Sequence, residues 1–200
     1  MGDGIRILFI QLLFFTFLGL DRFILLKHVS ALEVTNYDIM YRVMSLLLFP
    51  WSIIAQPLWS SYAEAYNRKD ISWIKNMYKK LLLVFGFTIL GVFILSYSFD
   101  FITELWIGKV LEVDLNILFL TGLLILLIMW STMHTDILFG LSKFRIPLIS
   151  ASLGFIVKII FIFVAINTGF DIFKLLISSI AAYGMFCVIA PINVFKLLKS

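Results

Sequence analysis

Charge is scarce in this chain: only 14% of its 200 residues are Asp, Glu, Lys or Arg, against roughly 25% in a soluble domain. With 62% apolar residues and a mean hydropathy of +1.06, the excess hydrophobic mass has no core to hide in. Lipid must therefore be its solvent. Cysteine is nearly absent. The single Cys187 excludes a disulfide framework and a cysteine-type zinc site, and its apolar surroundings read as those of a small buried hydrophobe. The formal charge of +4 is modest, and the basic residues form no tract interleaved with aromatics, which argues against a nucleic-acid partner. No G-x-S-x-G, Walker A, G-x-G-x-x-G or H-E-x-x-H pattern occurs, so nothing points to an enzyme, a cofactor or a metal. His134 and Asp136 form the one His-x-Asp arrangement. Without further ligands at matching spacing it reads as an interfacial polar cluster.

What is present is a set of long apolar runs. A helix crossing the hydrocarbon core needs about 20 mostly apolar residues, and barrel strands would instead alternate apolar and polar positions. Six runs qualify, at about 5–27, 39–60, 81–103, 115–138, 146–167 and 172–195. The expectation is an all-α, polytopic, six-transmembrane-helix bundle forming one lobe over residues 1–200. The first run is too long for a signal peptide, contains Asp21 and Arg22, and has no small-residue cleavage site behind it, so it counts as a span.

Lys and Arg set the direction. Arg6, Arg68, Lys69, Lys75, Lys79, Lys80, Lys143, Arg145, Lys196 and Lys199 fall on the side of the termini, and Lys27, Lys109 and Lys174 on the other. Both termini are therefore expected in the cytoplasm. The opposite loops carry Glu33, Glu104, Glu112, Asp114 and Asp171. Between spans two and three, Asp70 can cap a helix on which Ile71, Ile74, Met77, Tyr78 and Leu81 recur at helical spacing, with Lys75, Lys79 and Lys80 opposite. The segment at about 64–80 reads as an amphipathic cytoplasmic helix lying in the interface; the alternative is an outward continuation of span three.

Ionisable residues inside spans are costly and mark functional positions by default. Asp21 and Arg22 lie in the outer half of span one, Asp38 and Arg42 are spaced i, i+4 in span two, and Lys158 is about twelve residues into span five. At about 1.5 Å per residue, Lys158 is roughly 18 Å into a core of about 30 Å, too deep for easy snorkelling. One reading has Arg22, Arg42 and Lys158 lining a hydrated cationic cavity for an anionic substrate. The other is local neutralisation, of Asp21 with Arg22, Asp38 with Arg42, and Lys158 with one of these acids. Pro50 and Pro57 break backbone hydrogen bonds in span two and act either as a hinge or as a packing kink. Ser150-x-x-x-Gly154 is suited to close helix contact, with a second copy or within the bundle.

Several stretches resemble bacterial polysaccharide flippases, the O-antigen and capsule transporters of the multidrug/oligosaccharidyl-lipid/polysaccharide (MOP) exporter superfamily. Tyr41-Arg-Val-Met-Ser-Leu-Leu-Leu-Phe-Pro and Gln56-Pro-Leu-Trp-Ser-Ser-Tyr-Ala-Glu-Ala-Tyr-Asn-Arg-Lys-Asp70 resemble the family's eighth helix and following loop. Asp21-Arg-Phe-Ile-Leu resembles the family's motif at the end of helix seven, and Leu105-Trp-Ile-Gly108 and Gly140-Leu-Ser-Lys-Phe-Arg145 resemble motifs after helices nine and ten. The match spans nearly the whole chain and corresponds to the C-terminal six-helix half. It implies a missing N-terminal lobe, in the same gene product or a partner chain, and alternating access between two lobes. It also implies a multi-pass protein of the bacterial inner membrane, with polyprenyl-pyrophosphate-linked oligosaccharide as substrate. By the resemblance, Arg22 and Arg42 fall on basic substrate positions, and Lys158 on the helix-eleven region. A related drug or metabolite antiporter lobe would use Asp21 and Asp38 as ion-coupling acids; a membrane-embedded glycan-assembly enzyme or an inactive fragment are further alternatives.

Overall fold

The computed structural model describes residues 2–55 and 57–199, without the side chains of Gly2, Asp3, Leu18 and Lys199. Gln56 of the Gln-Pro-Leu-Trp motif and the Lys199 side chain thus lie outside the described residues. What is described is helical, with no strand: α1 (Gly2–His28), α2 (Ala31–Ser45), α3 (Leu48–Ala55), α4 (Leu58–Asn67), α5 (Ile71–Tyr97), α6 (Phe99–Ile107), α7 (Leu115–Gly140), α8 (Arg145–Asn167) and α9 (Ile172–Lys199).

Five of these, α1, α5, α7, α8 and α9, are long and apolar enough to cross a membrane. A sixth crossing results when α2 and the α3–α4 pair, bent by 43°, are counted as one broken span. The outward faces carry large apolar side chains: Phe15 is 78% exposed, Phe87 72% and Phe163 68%. A water-facing surface does not carry such residues on helix after helix. The helices fit a membrane-embedded protein.

α7 lies at the centre, packed against α2, α3, α4, α5, α8 and α9, while α8 and α9 form the most extensive helix pair and α1 docks on α8. The α1–α2 hairpin turns in two residues. Ser30 caps α2 through a reciprocal capping box, its Oγ accepting from the Glu33 amide while the Glu33 carboxylate accepts from the Ser30 amide at 2.9 Å. The α4–α5 and α7–α8 reversals share another device. Lys69 (φ 59°) and Ser142 (φ 56°) take the left-handed conformation usually left to glycine. Behind each, an amide reaches back five residues, Asp70 to the Ala65 carbonyl and Lys143 to the Leu138 carbonyl, both at 2.8 Å.

Asp70 caps α5 by accepting from the Trp73 amide at 3.0 Å. The helix then runs unbroken to Tyr97, so the basic, amphipathic stretch after Asp70 is continuous with the long apolar helix. At the far end Ser98 separates α5 from α6, inside what the hydropathy reads as one run. The bend in the second span lies at Leu46–Leu47, where the Leu46 and Leu47 amides fall back on tighter i→i−3 bonds. Pro50 accounts for it. It has no amide to offer the Leu46 carbonyl, and its ring crowds that group. Pro57 stands at the N-cap of α4, where its missing amide costs nothing.

Candidate functional site

Two charged groups are buried inside the bundle. Lys158, at the middle of α8, is 1% exposed and Asp21, on α1, is 3% exposed. The Lys158 ammonium lies 2.6 Å from Asp21 Oδ1 and donates to the Phe17 carbonyl at 2.5 Å. It also sits 5.5 Å from the centroid of the Phe17 ring. Asp21 Oδ2 accepts from the Ser179 hydroxyl of α9 at 3.1 Å. Three helices, α1, α8 and α9, thus meet on one neutral polar knot, held in an aromatic cage. Phe17 packs on Tyr183 at 5.6 Å and on Phe155 at 6.0 Å. Buried charges survive only when paired and hydrogen-bonded, and here both conditions are met.

Gly154 is what lets Lys158 reach this position. It lies one turn before Lys158 on the same face of α8, and a Cβ there would come within 2.7 Å of the Ala182 carbonyl oxygen of α9. Ser150, another turn back, is fully buried. The Ser150–Gly154 pair therefore serves helix contact within the chain.

Arg22 points the other way. Successive helical residues are about 100° apart, so Asp21 faces inward while Arg22 is 64% exposed and pairs across the hairpin with Asp38 at 3.3 Å. The expected Asp21–Arg22 and Asp38–Arg42 pairs are replaced by Asp21–Lys158 and Asp38–Arg22. Arg42 is exposed, with no ion pair among the described residues. A cleft of about 110 Å³ opens between α1 and α2, lined by Asp21, Arg22, Tyr37, Asp38 and Tyr41. Of the three cations expected to line one cavity, only Arg22 borders this cleft; Arg42 is not on its wall, and Lys158 is enclosed behind Asp21, which neutralises its ammonium. The residues that sequence reasoning missed are Ser179, Phe17 through its carbonyl, and the two tyrosines. Ser178-Ser179 in an otherwise apolar run was the available signal for the first.

His134 and Asp136 do not form a cluster. The His134 ring is buried between α5 and α7. Its Nδ1–H donates to the Trp130 carbonyl at 2.7 Å and its Nε2 accepts from the Tyr78 hydroxyl at 3.0 Å. With both nitrogens engaged it has no lone pair for a metal, and no group of three or more potential metal ligands exists among the described residues. Asp136 faces a different cleft, toward α3. Cys187 directs its thiol at the Leu127 carbonyl, 3.8 Å away. No protein family profile, curated protein or solved structure matches the chain.

Proposed function

We propose that the chain is one six-helix lobe of a flippase. It moves polyprenyl-pyrophosphate-linked oligosaccharide across the bacterial cytoplasmic membrane for surface polysaccharide synthesis, with both termini cytoplasmic. The observation that carries this reading is the division of its intramembrane cations. Lys158 is neutralised inside the bundle, whereas Arg22, on the wall of the polar α1–α2 cleft, and Arg42, on α2, stand exposed. An exposed guanidinium within a membrane-embedded helix needs water or an anion. Arginine holds phosphate oxygens in a forked, bidentate geometry. The pyrophosphate would bind against Arg42 and draw Arg22 partly away from Asp38.

In this reading Lys158 is a positioning residue, locking α1 to α8 and α9 so that the hairpin presents its arginines to the second lobe. The break at Leu46–Leu47 sets α2 apart from α3 and supplies the place where the hairpin rocks during alternating access. The ion-coupling role that an antiporter would give Asp21 fits less well, because its carboxylate is already engaged by an ammonium.

Binding tests the proposal. In purified protein in nanodiscs, Arg42→Ala and Arg22→Ala are each expected to weaken polyprenyl-pyrophosphate binding by about tenfold, the loss of one charge-assisted contact. Uncharged polyprenol should bind all variants alike. Unchanged pyrophosphate affinity in both variants would remove the basis for the lipid-pyrophosphate reading.

A further inference from the structure

The three acids Asp21, Asp38 and Asp136 are not alike. Asp21 has Lys158 and Asp38 has Arg22, whereas Asp136 has no cation within ion-pair distance among the described residues. It lies on the wall of a cleft of about 290 Å³ between α3 and α7, with Leu48, Trp51, Ser52, Ala55, Ile128 and Thr132. None of these residues is basic.

The polar atoms around Asp136 all present lone pairs. The Ser52 hydroxyl donates its one proton to the Phe49 carbonyl at 2.8 Å, and the Thr132 hydroxyl donates its own to the Met129 carbonyl at 2.9 Å. Among the described residues, the other donor on the wall, the Trp51 indole N–H, is taken up by Thr132 Oγ1 at 3.3 Å. Thr132 and Asp136 are spaced i, i+4 on one face of α7, and Ser52 stands on the opposite wall. Among the described residues the cleft thus offers a carboxylate and hydroxyl oxygens as acceptors, with the hydroxyl and indole protons already taken. Once ionised, a carboxylate in that setting draws its counter-charge from outside the wall.

We propose that the α3–α7 cleft is a binding site for a monovalent alkali cation, with Asp136 as its charged ligand and Ser52 as a neutral one. Charge decides the valence. A divalent ion takes six or more oxygen ligands and usually several carboxylates, whereas one carboxylate balances one positive charge and the cleft has room for waters to complete the shell. The ion would tie α3 to α7. Because α3 is the short piece between the two breaks at Leu46–Leu47 and Pro57, occupancy would hold the broken span in its bent form.

The test is a sodium titration of the purified full chain at fixed pH and ionic strength, with N-methyl-D-glucamine chloride as filler, read by the thermal midpoint. Wild-type protein should show a saturable rise with sodium. Asp136→Asn should abolish it, Ser52→Ala should raise the half-saturating concentration by at least about threefold, and Glu104→Gln on α6 should respond as wild type. The titration is run at each of two pH values, and a wild-type midpoint indifferent to sodium at both would overturn the proposal, even if it moves between them. The same response in Asp136→Asn as in wild type would also overturn it. The wild-type and Ser52→Ala titrations decide the matter even if Asp136→Asn folds poorly.

Discussion

Replacing Lys158 alone with Met is expected to leave little monodisperse protein, and replacing Asp21 with Asn in the same chain is expected to bring it back. The single change strands the Asp21 carboxylate among α1, α8 and α9 with only the Ser179 hydroxyl to satisfy it. Removing one partner of a buried pair costs about 3–5 kcal/mol, whereas exchanging both for groups of similar shape is often neutral. Against a typical total stability of about 5–15 kcal/mol, the single variant loses a large share. Size-exclusion profiles and detergent unfolding of wild type, both single variants and the double variant check this. If each single variant is as stable as the double one, the pair is not what joins these helices.

Gly154→Ala is also expected to be damaging, at about 1–3 kcal/mol for overpacking a tight contact. The added methyl would meet the Ala182 carbonyl oxygen at 2.7 Å and Phe17 Cζ at 3.4 Å. A backbone oxygen cannot swing aside as a side chain can, so α8 and α9 must separate. Lys158, on the same face of α8, then loses its reach to Asp21. Gly86 on α5 serves as the control, because a Cβ there has nothing within 4 Å. Gly86→Ala should be neutral or stabilising by up to about 1 kcal/mol through helix propensity. Thermal midpoints of the two variants decide it, and equal shifts would show that the α8–α9 contact is looser than the geometry implies.

How much of this was legible in the sequence depends on the kind of information each feature needs. The long apolar runs report their own solvent, so α1, α5, α7, α8 and α9 are readable from hydropathy. Ser98 is an exception: the run continues through it, and only backbone geometry divides α5 from α6. Asp70 is readable as a cap, but not whether its helix stops at the interface or runs on, since amphipathic spacing holds in both cases. The depth of Lys158 follows from counting residues. Its partner does not, because depth leaves open which helix lies alongside.

The pairing of Asp21 with Arg22 fails for a reason a helical wheel supplies: neighbours in sequence point to different faces. Asp38 and Arg42 satisfy the i, i+4 geometry, yet Arg22 takes Asp38 because the two-residue turn at Val29–Ser30 brings α1 alongside α2. The cleft beside Asp136 was out of reach of the sequence altogether. It depends on a break in the second span and on where two hydroxyl protons go.

The account rests on a division between a buried charged interior and an open arginine face, and thiol accessibility tests that division most directly. In a Cys187→Ala background, a cysteine replacing Arg42 and a cysteine replacing Ser179 would be exposed to a charged methanethiosulfonate reagent in nanodiscs. The account predicts rapid modification at 42 and none at 179 until the protein is unfolded. Equal rates at the two positions would contradict it.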